Sequence, residues 1–439
     1  MRTSCALLVL PLACSAFQLP FKVPFLSSNS VVEPEPPTGT PRIAIIAAFW
    51  IAATKERFGL DVEVDVYEKE SYVGGRSTIV YPYNDTTLPP VELGGSIFVK
   101  ANKNMWRASE EFNLTRRNFD DPNSTMGVWD GSSMLFSVGD GWWENAKMLW
   151  RFGMAPLKAK WITDNMISKY LRLYAPDTPR WEDVKDLTSQ LGVADLLEQT
   201  AQASLKRKAS TRVNYGQNID DMHAFGATCS IATSGATGIE GGNYQIFEHF
   251  LKHSGANVYL NTPVVSISDS HTFWTVRTAG TAKAYKAVIF ATSFHSSGIT
   301  LNAPNAAEVP EVPYYSLMRR HNGTVPEFNS LAYHGAIRDG EWVVKIFSQQ
   351  ELSDEWLSDI FIGQVGWVHR KEWDAYPRLL PNSPMPQFIS TMETETVAAR
   401  NVVDLLLNDA FGLSICGHRL SAPASRAAQD PNFVYGWDC

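Results

Sequence analysis

No stretch of about 20 consecutive apolar residues occurs in this 439-residue chain, which excludes an ordinary transmembrane helix. No block of lysine or arginine stands out either. With 38 basic residues against 46 acidic ones the net charge is −8, a balance that argues against a nucleic-acid partner. Cysteine is scarce: Cys5, Cys14, Cys229, Cys416 and Cys439 are too few for a disulfide scaffold. A single Cys416–Cys439 bridge can be drawn, and no metal site is expected, because no zinc-type spacing occurs.

A fourth absence is more pointed. The β-branched run Ile43-Ala44-Ile45-Ile46 passes directly into the helical pattern of residues 47–58, which stops at Gly59. A strand follows, Val62-Glu63-Val64-Asp65-Val66-Tyr67-Glu68, and then Gly74-Gly75-Arg76. This is the strand–helix–strand plan of a dinucleotide-binding unit, with Glu68 at the end of the second strand, where an acidic residue takes ribose hydroxyls. The glycine-rich turn that cradles the phosphates is missing: Ile46 meets Ala47 with no Gly, Asn, Asp or Ser to turn the chain.

What is present divides the chain further. Residues 1–16 read as a secretory signal peptide, with Arg2 ahead of an apolar segment and small residues at Cys14-Ser15-Ala16. Residues 17–41 form an extended leader stiffened by Pro34, Pro36, Pro37 and Pro41. Glycosylation acceptors at Asn84, Asn113, Asn123 and Asn322 agree with a secretory route, toward a lysosome or vacuole lumen or the cell exterior.

Gly94-Gly95 lies between apolar residues, which suits either a turn or a close approach of backbone to ligand. Residues 103–210 are mostly helical in pattern, interrupted by a hairpin at 127–136. Trp142, Trp143, Trp150 and Trp161 crowd this region, either as core or as the lining of a pocket for a long apolar substrate. Glu240-Gly241-Gly242-Asn243 precedes a helix at 244–253, and strands follow at 258–260, 263–267, 273–276 and 287–292. These strands either complete a nucleotide domain or form an ordinary meander. Residues 301–387 are less regular. Thr391 then N-caps a helix to about residue 407, with Glu393 and Glu395 at its positive end, and the tail from 417 is expected to be irregular and loosely ordered.

Together these segments resemble the prenylcysteine oxidase, or farnesylcysteine lyase, family of FAD-dependent enzymes. The resemblance runs from about residue 42 to 409. It is carried by Glu68 with Gly74-Gly75-Arg76-Ser77, by Glu92-Leu93-Gly94-Gly95-Ser96, by Asn214-Tyr215-Gly216-Gln217, by Glu240-Gly241-Gly242-Asn243, and by Met392-Glu393-Thr394-Glu395. The pair Asn-Tyr-Gly-Gln and Glu-Gly-Gly-Asn, in that order, is the most particular; Gly-Gly-Arg alone is shared by many flavoproteins.

The resemblance implies a mixed α/β (α+β) fold, with an FAD-binding Rossmann-like domain of the amine-oxidase/glutathione-reductase type and an interleaved substrate domain. It places the FAD domain at 42–100, 239–300 and 388–410, the substrate domain at 101–238 and 301–387, and the irregular tail at 411–439. Glu68 would hold the adenosine ribose and Val265 would meet adenine through its backbone. Gly74, Gly75, Arg76, Gly94, Gly95 and Ser96 would pass close to the pyrophosphate and flavin. Thr292 would lie near the dinucleotide, and Glu393 and Thr394 at the isoalloxazine end. Tyr215, Gln217 and Asn243 are candidates for the wall of the substrate pocket. No catalytic acid or base is assigned, since the cofactor carries the hard chemistry.

The implied reaction oxidises the prenyl C1 of a farnesyl- or geranylgeranylcysteine, with dioxygen as acceptor. The products are cysteine, a prenyl aldehyde and hydrogen peroxide. Against this stand three departures: the absent glycine turn, a short segment at 314–325, and a short junction at 386–387. Losses with intact flanks have the form of intron-boundary errors in a gene model, which sequencing the transcript tests. Without the phosphate turn, the alternative is a secreted pseudoenzyme or apolar-ligand-binding protein that holds no FAD.

Overall fold

The computed structural model describes residues 42–44, 48–119, 126–129, 133–139, 141–205, 210–292, 297–303, 326–372, 378–381, 389, 391–417, 430 and 432–439. The chain divides into two compact units, one drawn from residues 1–73 and 250–311, the other from 74–249 and 312–439. Helices and strands alternate in a mixed α/β arrangement, as the sequence implies.

The first unit is built on a four-stranded parallel sheet in the order Ala287–Val288, Arg42–Ala44, Glu63–Tyr67, Asn257–Tyr259. Helix Ala48–Phe58 connects its two central strands and buries Ala48, Trp50, Ile51 and Thr54 along one side. The strand–helix–strand plan is therefore present. The junction at Ile45, Ile46 and Ala47, where the glycine turn is missing from the sequence, lies outside the described residues. Strand Glu63–Tyr67 is central and buries Val64, Asp65 and Val66 in succession, as strands of a covered parallel sheet do. A second sheet in the same unit has the order Ala282–Tyr285, Trp274–Thr278, Val264–Asp269, Thr300–Asn302. Ile267, Val276 and Tyr285 form its core.

Asp65 is the exception within that buried run. Its Oδ1 accepts from Asn257 Nδ2 (2.9 Å), and its Oδ2 accepts from the Tyr285 hydroxyl (2.6 Å) and from Lys283 Nζ (3.3 Å). Lys283 also donates to the Tyr259 hydroxyl, and the Tyr67 and Tyr285 hydroxyls lie 2.6 Å apart. Burial alone would push the Asp65 carboxyl up, but the bonds from Tyr285 and Asn257 and the charge of Lys283 outweigh it and hold the carboxyl below its ordinary value. The network ties Asp65, in the parallel sheet, to Lys283 and Tyr285 on the edge strand of the second sheet.

The second unit has a mainly helical core. Met166, Leu173, Tyr174, Leu187, Met222 and Phe225 pack there with many other apolar residues. The expected hairpin is present as Met126–Trp129 paired with Met134–Val138. The four tryptophans are not core: on helices Trp142–Phe152 and Ala155–Tyr170, Trp142, Trp143, Trp150 and Trp161 are 79, 57, 94 and 68% exposed.

Two other readings change. The stretch after residue 301 contains a long antiparallel hairpin, Ser330–Arg338 with Glu341–Phe347, turned at Asp339-Gly340. Of the tail beyond residue 417, residues 430 and 432–439 are described, and these are irregular but not loose. Cys416 and Cys439 form a disulfide, Phe433, Val434 and Tyr435 are buried, and the Tyr435 N–H donates to Tyr174 O (2.8 Å). Its apolar residues fill the core beside Tyr174, and polarity of composition alone did not reveal that.

Candidate functional site

Two glycine motifs lie side by side in the second unit. Gly74 and Gly75 both take positive φ, 116° and 56°, and the Ser77 N–H closes the turn onto Gly74 O (2.9 Å). A Cβ at Gly74 would sit 2.5 Å from Ser77 O, so this turn admits only glycine. Strand Ile79–Val80 then pairs antiparallel with Val91–Glu92, and the ladder extends through Leu93 N–H to Thr78 O (2.9 Å) and Gly95 N–H to Arg76 O (3.2 Å). This pairing brings residues 94–96 alongside 74–77.

Asn243 locks the pair. Its side-chain nitrogen donates to Gly95 O (2.8 Å), its Oδ1 accepts from Ile239 N–H (2.8 Å), and its own N–H donates to Glu92 Oε1 (2.6 Å). The preceding Gly242 has φ 121°, and a Cβ there would meet Ile79 Cγ2 at 2.6 Å. The Glu-Gly-Gly-Asn motif is therefore explained by close packing against the first glycine motif.

The third component is helix Met392–Phe411. Thr391 caps it in a reciprocal box with Thr394: the Thr394 N–H donates to Thr391 Oγ1 (3.1 Å), and the Thr391 N–H to Thr394 Oγ1 (2.9 Å). Met392 lies against Gly95, where a Cβ would come within 3.0 Å of its Cγ and Sδ. Arg76 and Glu395 form a loose ion pair at 4.0 Å. Gly74, Gly75, Arg76, Gly94, Gly95, Ser96, Asn243 and Thr394 are thus assembled around the first turn of this helix.

Glu393 points to a different task. Buried, it accepts from the N–H groups of Asn104 and Met105 (both 2.9 Å), the start of helix Lys103–Glu111, and from the Tyr174 hydroxyl (2.5 Å). Both carboxylate oxygens are engaged by groups of the protein itself. Tyr215 and Gln217 lie in the main core, where Gln217 Oε1 accepts from Leu379 N–H (2.9 Å) and its amide donates to Tyr215 O (3.3 Å).

In the first unit, the Glu68 N–H donates to Tyr259 O and its carbonyl accepts from Thr262 N–H, both at 2.9 Å, at the carboxyl end of the parallel strands. Val265 sits at a bulge: the register passes from Val264 to Ser266 and leaves it without a cross-strand partner. Thr292 is exposed beyond strand Ala287–Val288.

Residues that the sequence reading passed over complete the picture. Lys345, on the second strand of the long hairpin, donates from Nζ to Glu92 O (2.9 Å) and to Ser96 Oγ (3.0 Å). Glu92 Oε2 is buried without a partner. Burial raises the Glu92 carboxyl from 4.5 to about 7, against the opposing bond from Asn243 and the charges of Arg117 and Lys345. Burial also lowers the Lys345 ammonium to about 8; the Glu92 charge resists that shift and Arg117 adds to it. Beside the two glycine motifs there is thus an acid and a base that both change charge near neutral pH, the tuning expected of a site that handles protons. An Asp-Gly turn between alternating residues was the signal available for the hairpin. Nothing local marked Lys345 itself.

The acceptors Asn84 and Asn113 are both exposed, while Asn123 and Asn322 lie outside the described residues.

The sequence model described as Prenylcysteine lyase matches residues 138–319 and 329–412. The farnesylcysteine lyase of Arabidopsis thaliana is 25% identical over 413 residues, covering 78% of this chain and 81% of its own length. Prenylcysteine oxidase 1 of Mus musculus is 26% identical over 444 residues, covering 83% and 85%. Among solved structures, a redesigned putrescine oxidase aligns over 72% of this chain and 78% of its own at 16% identity, with a TM-score of 0.44, too slight a likeness to carry function across. On the extent of the sequence match, the chain belongs to the prenylcysteine lyase family.

Proposed function

We propose that this chain is an FAD-dependent oxidase that cleaves the thioether of a prenylcysteine, farnesyl- or geranylgeranylcysteine, with dioxygen as acceptor. The observation that supports it best is the convergence of residues 74–77, 92–96 and 243 on the start of helix Met392–Phe411, in a chain whose relatives are named prenylcysteine oxidases and farnesylcysteine lyases.

The residues of the second unit fit a flavin. Glu92 Oε2 and Ser77 Oγ are buried polar atoms with no hydrogen-bond partner, a demand that a bound polar ring would meet. Gly74, Gly75, Arg76, Gly94, Gly95 and Ser96 would border it. Glu393 and Thr394 would act through the helix, Glu393 by fixing it to the neighbouring helix and Thr394 by closing its cap. In the first unit Glu68, Val265 and Thr292 are the residues for the adenosine part. The bulge leaves the Val265 backbone outside the ladder, as a backbone contact to adenine requires.

Bound FAD would supply the two-electron oxidation of the prenyl carbon next to sulfur. The chain's own part is to hold the thioether, to limit access of water and to manage protons. Lys345, poised to lose its proton at about pH 8, would accept the proton released when water adds to the oxidised carbon. Asn243 would keep the Glu92 carboxyl in place.

Purified full-length protein should be yellow, and its flavin absorbance should bleach on addition of farnesylcysteine under anaerobic conditions. A folded, colourless protein that takes up no added FAD would defeat the proposal. That result would favour a second reading, a family member that binds an apolar ligand without cofactor. The absence of any glycine between Ile43 and Gly59 favours this second reading, since the lost amide contacts to phosphate are worth roughly 1.5–3 kcal/mol each. Inserting a glycine-rich turn after Ile46 should then restore the colour. The proposed setting is the lumen of the secretory pathway, a lysosome or vacuole, or the cell exterior. A mobility shift on deglycosylation, lost in the Asn84→Gln and Asn113→Gln variants, tests it.

A further inference from the structure

Helix Ala155–Tyr170 is anchored by one face only. Ala159, Thr163, Met166 and Tyr170 are buried at helical spacing, three of them within the main core. The opposite face presents Leu157 and Trp161 to solvent, and helix Trp142–Phe152 adds Trp142, Trp143 and Trp150. Met154, between the helices, is also exposed. A shallow cleft of about 450 Å³ runs between Trp143, Ala146, Lys147, Trp150 and Arg151. Each indole left in water forgoes roughly 2–3 kcal/mol of burial, so four exposed on two adjoining helices are a large standing cost for a lone molecule.

The chemistry of the patch identifies what covers it. Tryptophan pairs an apolar ring with an N–H donor and is enriched where hydrocarbon meets water. The two helices carry Lys147, Arg151, Lys158, Lys160 and Lys169 against two acidic residues, Glu144 and Asp164, the latter paired with Lys160 (2.9 Å), in a chain whose net charge is −8. A uniformly acidic protein is repelled by an anionic surface. A basic segment within about 8 Å of that surface, one Debye length in physiological salt, is attracted to it. Basic side chains interleaved with exposed indoles match an anionic lipid headgroup layer, whereas a protein interface concentrates its charge at the rim. Among the described residues no helix is long and apolar enough to cross a membrane, so any attachment through these helices is peripheral.

We propose that helices Trp142–Phe152 and Ala155–Tyr170 form a docking face for anionic membranes, with the indoles seated at headgroup depth and the basic side chains against lipid phosphates. The inference stands apart from the proposed oxidase activity. Co-sedimentation of the full chain with vesicles of phosphatidylcholine and phosphatidylserine tests it, with pure phosphatidylcholine as the control. Binding is expected to the anionic vesicles and to weaken with salt. It should fall about fivefold for Lys158→Gln, since one charge near such a surface is worth about 1 kcal/mol, and less for Lys160→Gln, whose charge Asp164 already partners. The Trp142→Ala/Trp150→Ala pair should lower it at least about tenfold. Failure to bind anionic vesicles overturns the proposal, as does undiminished binding by the tryptophan pair. A vesicle-indifferent dimer that dissociates on Trp150→Ala also overturns it, by assigning the face to a second copy. If the tryptophan variant does not fold, the two lysine variants decide the matter.

Discussion

Glu92 and Glu393 are both buried glutamates of the second unit, and burial raises the pKa of each, yet their surroundings differ. Glu393 accepts three hydrogen bonds, two of them from the exposed-donor end of helix Lys103–Glu111, so its carboxylate completes a helix start that Asn102 does not cap through its side chain. Glu92 accepts one bond on Oε1 and has none on Oε2. A carboxylate with both oxygens engaged by protein donors is structural. One left with an unmet oxygen beside a half-buried lysine and two glycine turns is placed for something the chain does not itself supply.

Four experiments sharpen or break that contrast. Glu393→Ala should cost the most, roughly 4 kcal/mol, because it orphans two helix N–H groups and the Tyr174 hydroxyl at once; urea unfolding measures it. Glu92→Gln should do the opposite above neutral pH. The folded state holds the Glu92 proton up to about pH 7 against 4.5 for the free group, so the parent loses stability as pH rises between those values. The glutamine variant lacks that descent and should be the more stable by up to about 3 kcal/mol at pH 8, read from Tm against pH. If Glu92→Gln instead destabilises as Glu393→Ala does, the contrast fails.

Lys345→Met should lower kcat on farnesylcysteine about 100-fold, the ordinary worth of a proton-handling group, with KM and Tm little changed. The parent's kcat should rise toward about pH 8 and the variant's should not. The smallest effect belongs to Arg76 and Glu395, both substantially exposed and 4.0 Å apart. Glu395→Gln should change stability by less than about 0.5 kcal/mol, which separates proximity to the site from contribution to it.

Much of this architecture was legible in local sequence. Alternation in residues 63–68 gave the central strand, and Thr391 gave a true cap, whose reciprocal bond from Thr394 only the structure shows. The pairs Gly74-Gly75 and Gly241-Gly242 gave turns whose positive φ values only glycine takes comfortably. What stayed hidden depends on tertiary meetings. Glu92 and Lys345 are far apart in sequence, and their shifted charges arise only when the hairpin lies against residues 92–96. Asp65 read as one polar position in an alternating strand, and its partners Asn257, Lys283 and Tyr285 come from beyond the second unit's first segment. The tryptophans misled for a related reason: aromatic content signals burial only on average, and these four face water.

The order of strands in the parallel sheet has a consequence for synthesis. Arg42–Ala44 pairs with Glu63–Tyr67 early, but its other neighbour, Ala287–Val288, and the outer strand Asn257–Tyr259 follow only after the long intervening segment. A nascent chain that has not reached residue 257 can present at most a two-stranded ribbon with both edges unpaired, a state prone to pair with other chains. Completing the sheet requires closure of a very long loop, which is slow. Recombinant yield of this protein should therefore depend more on chaperone supply and slow translation across residues 74–249 than on the stability of the finished fold.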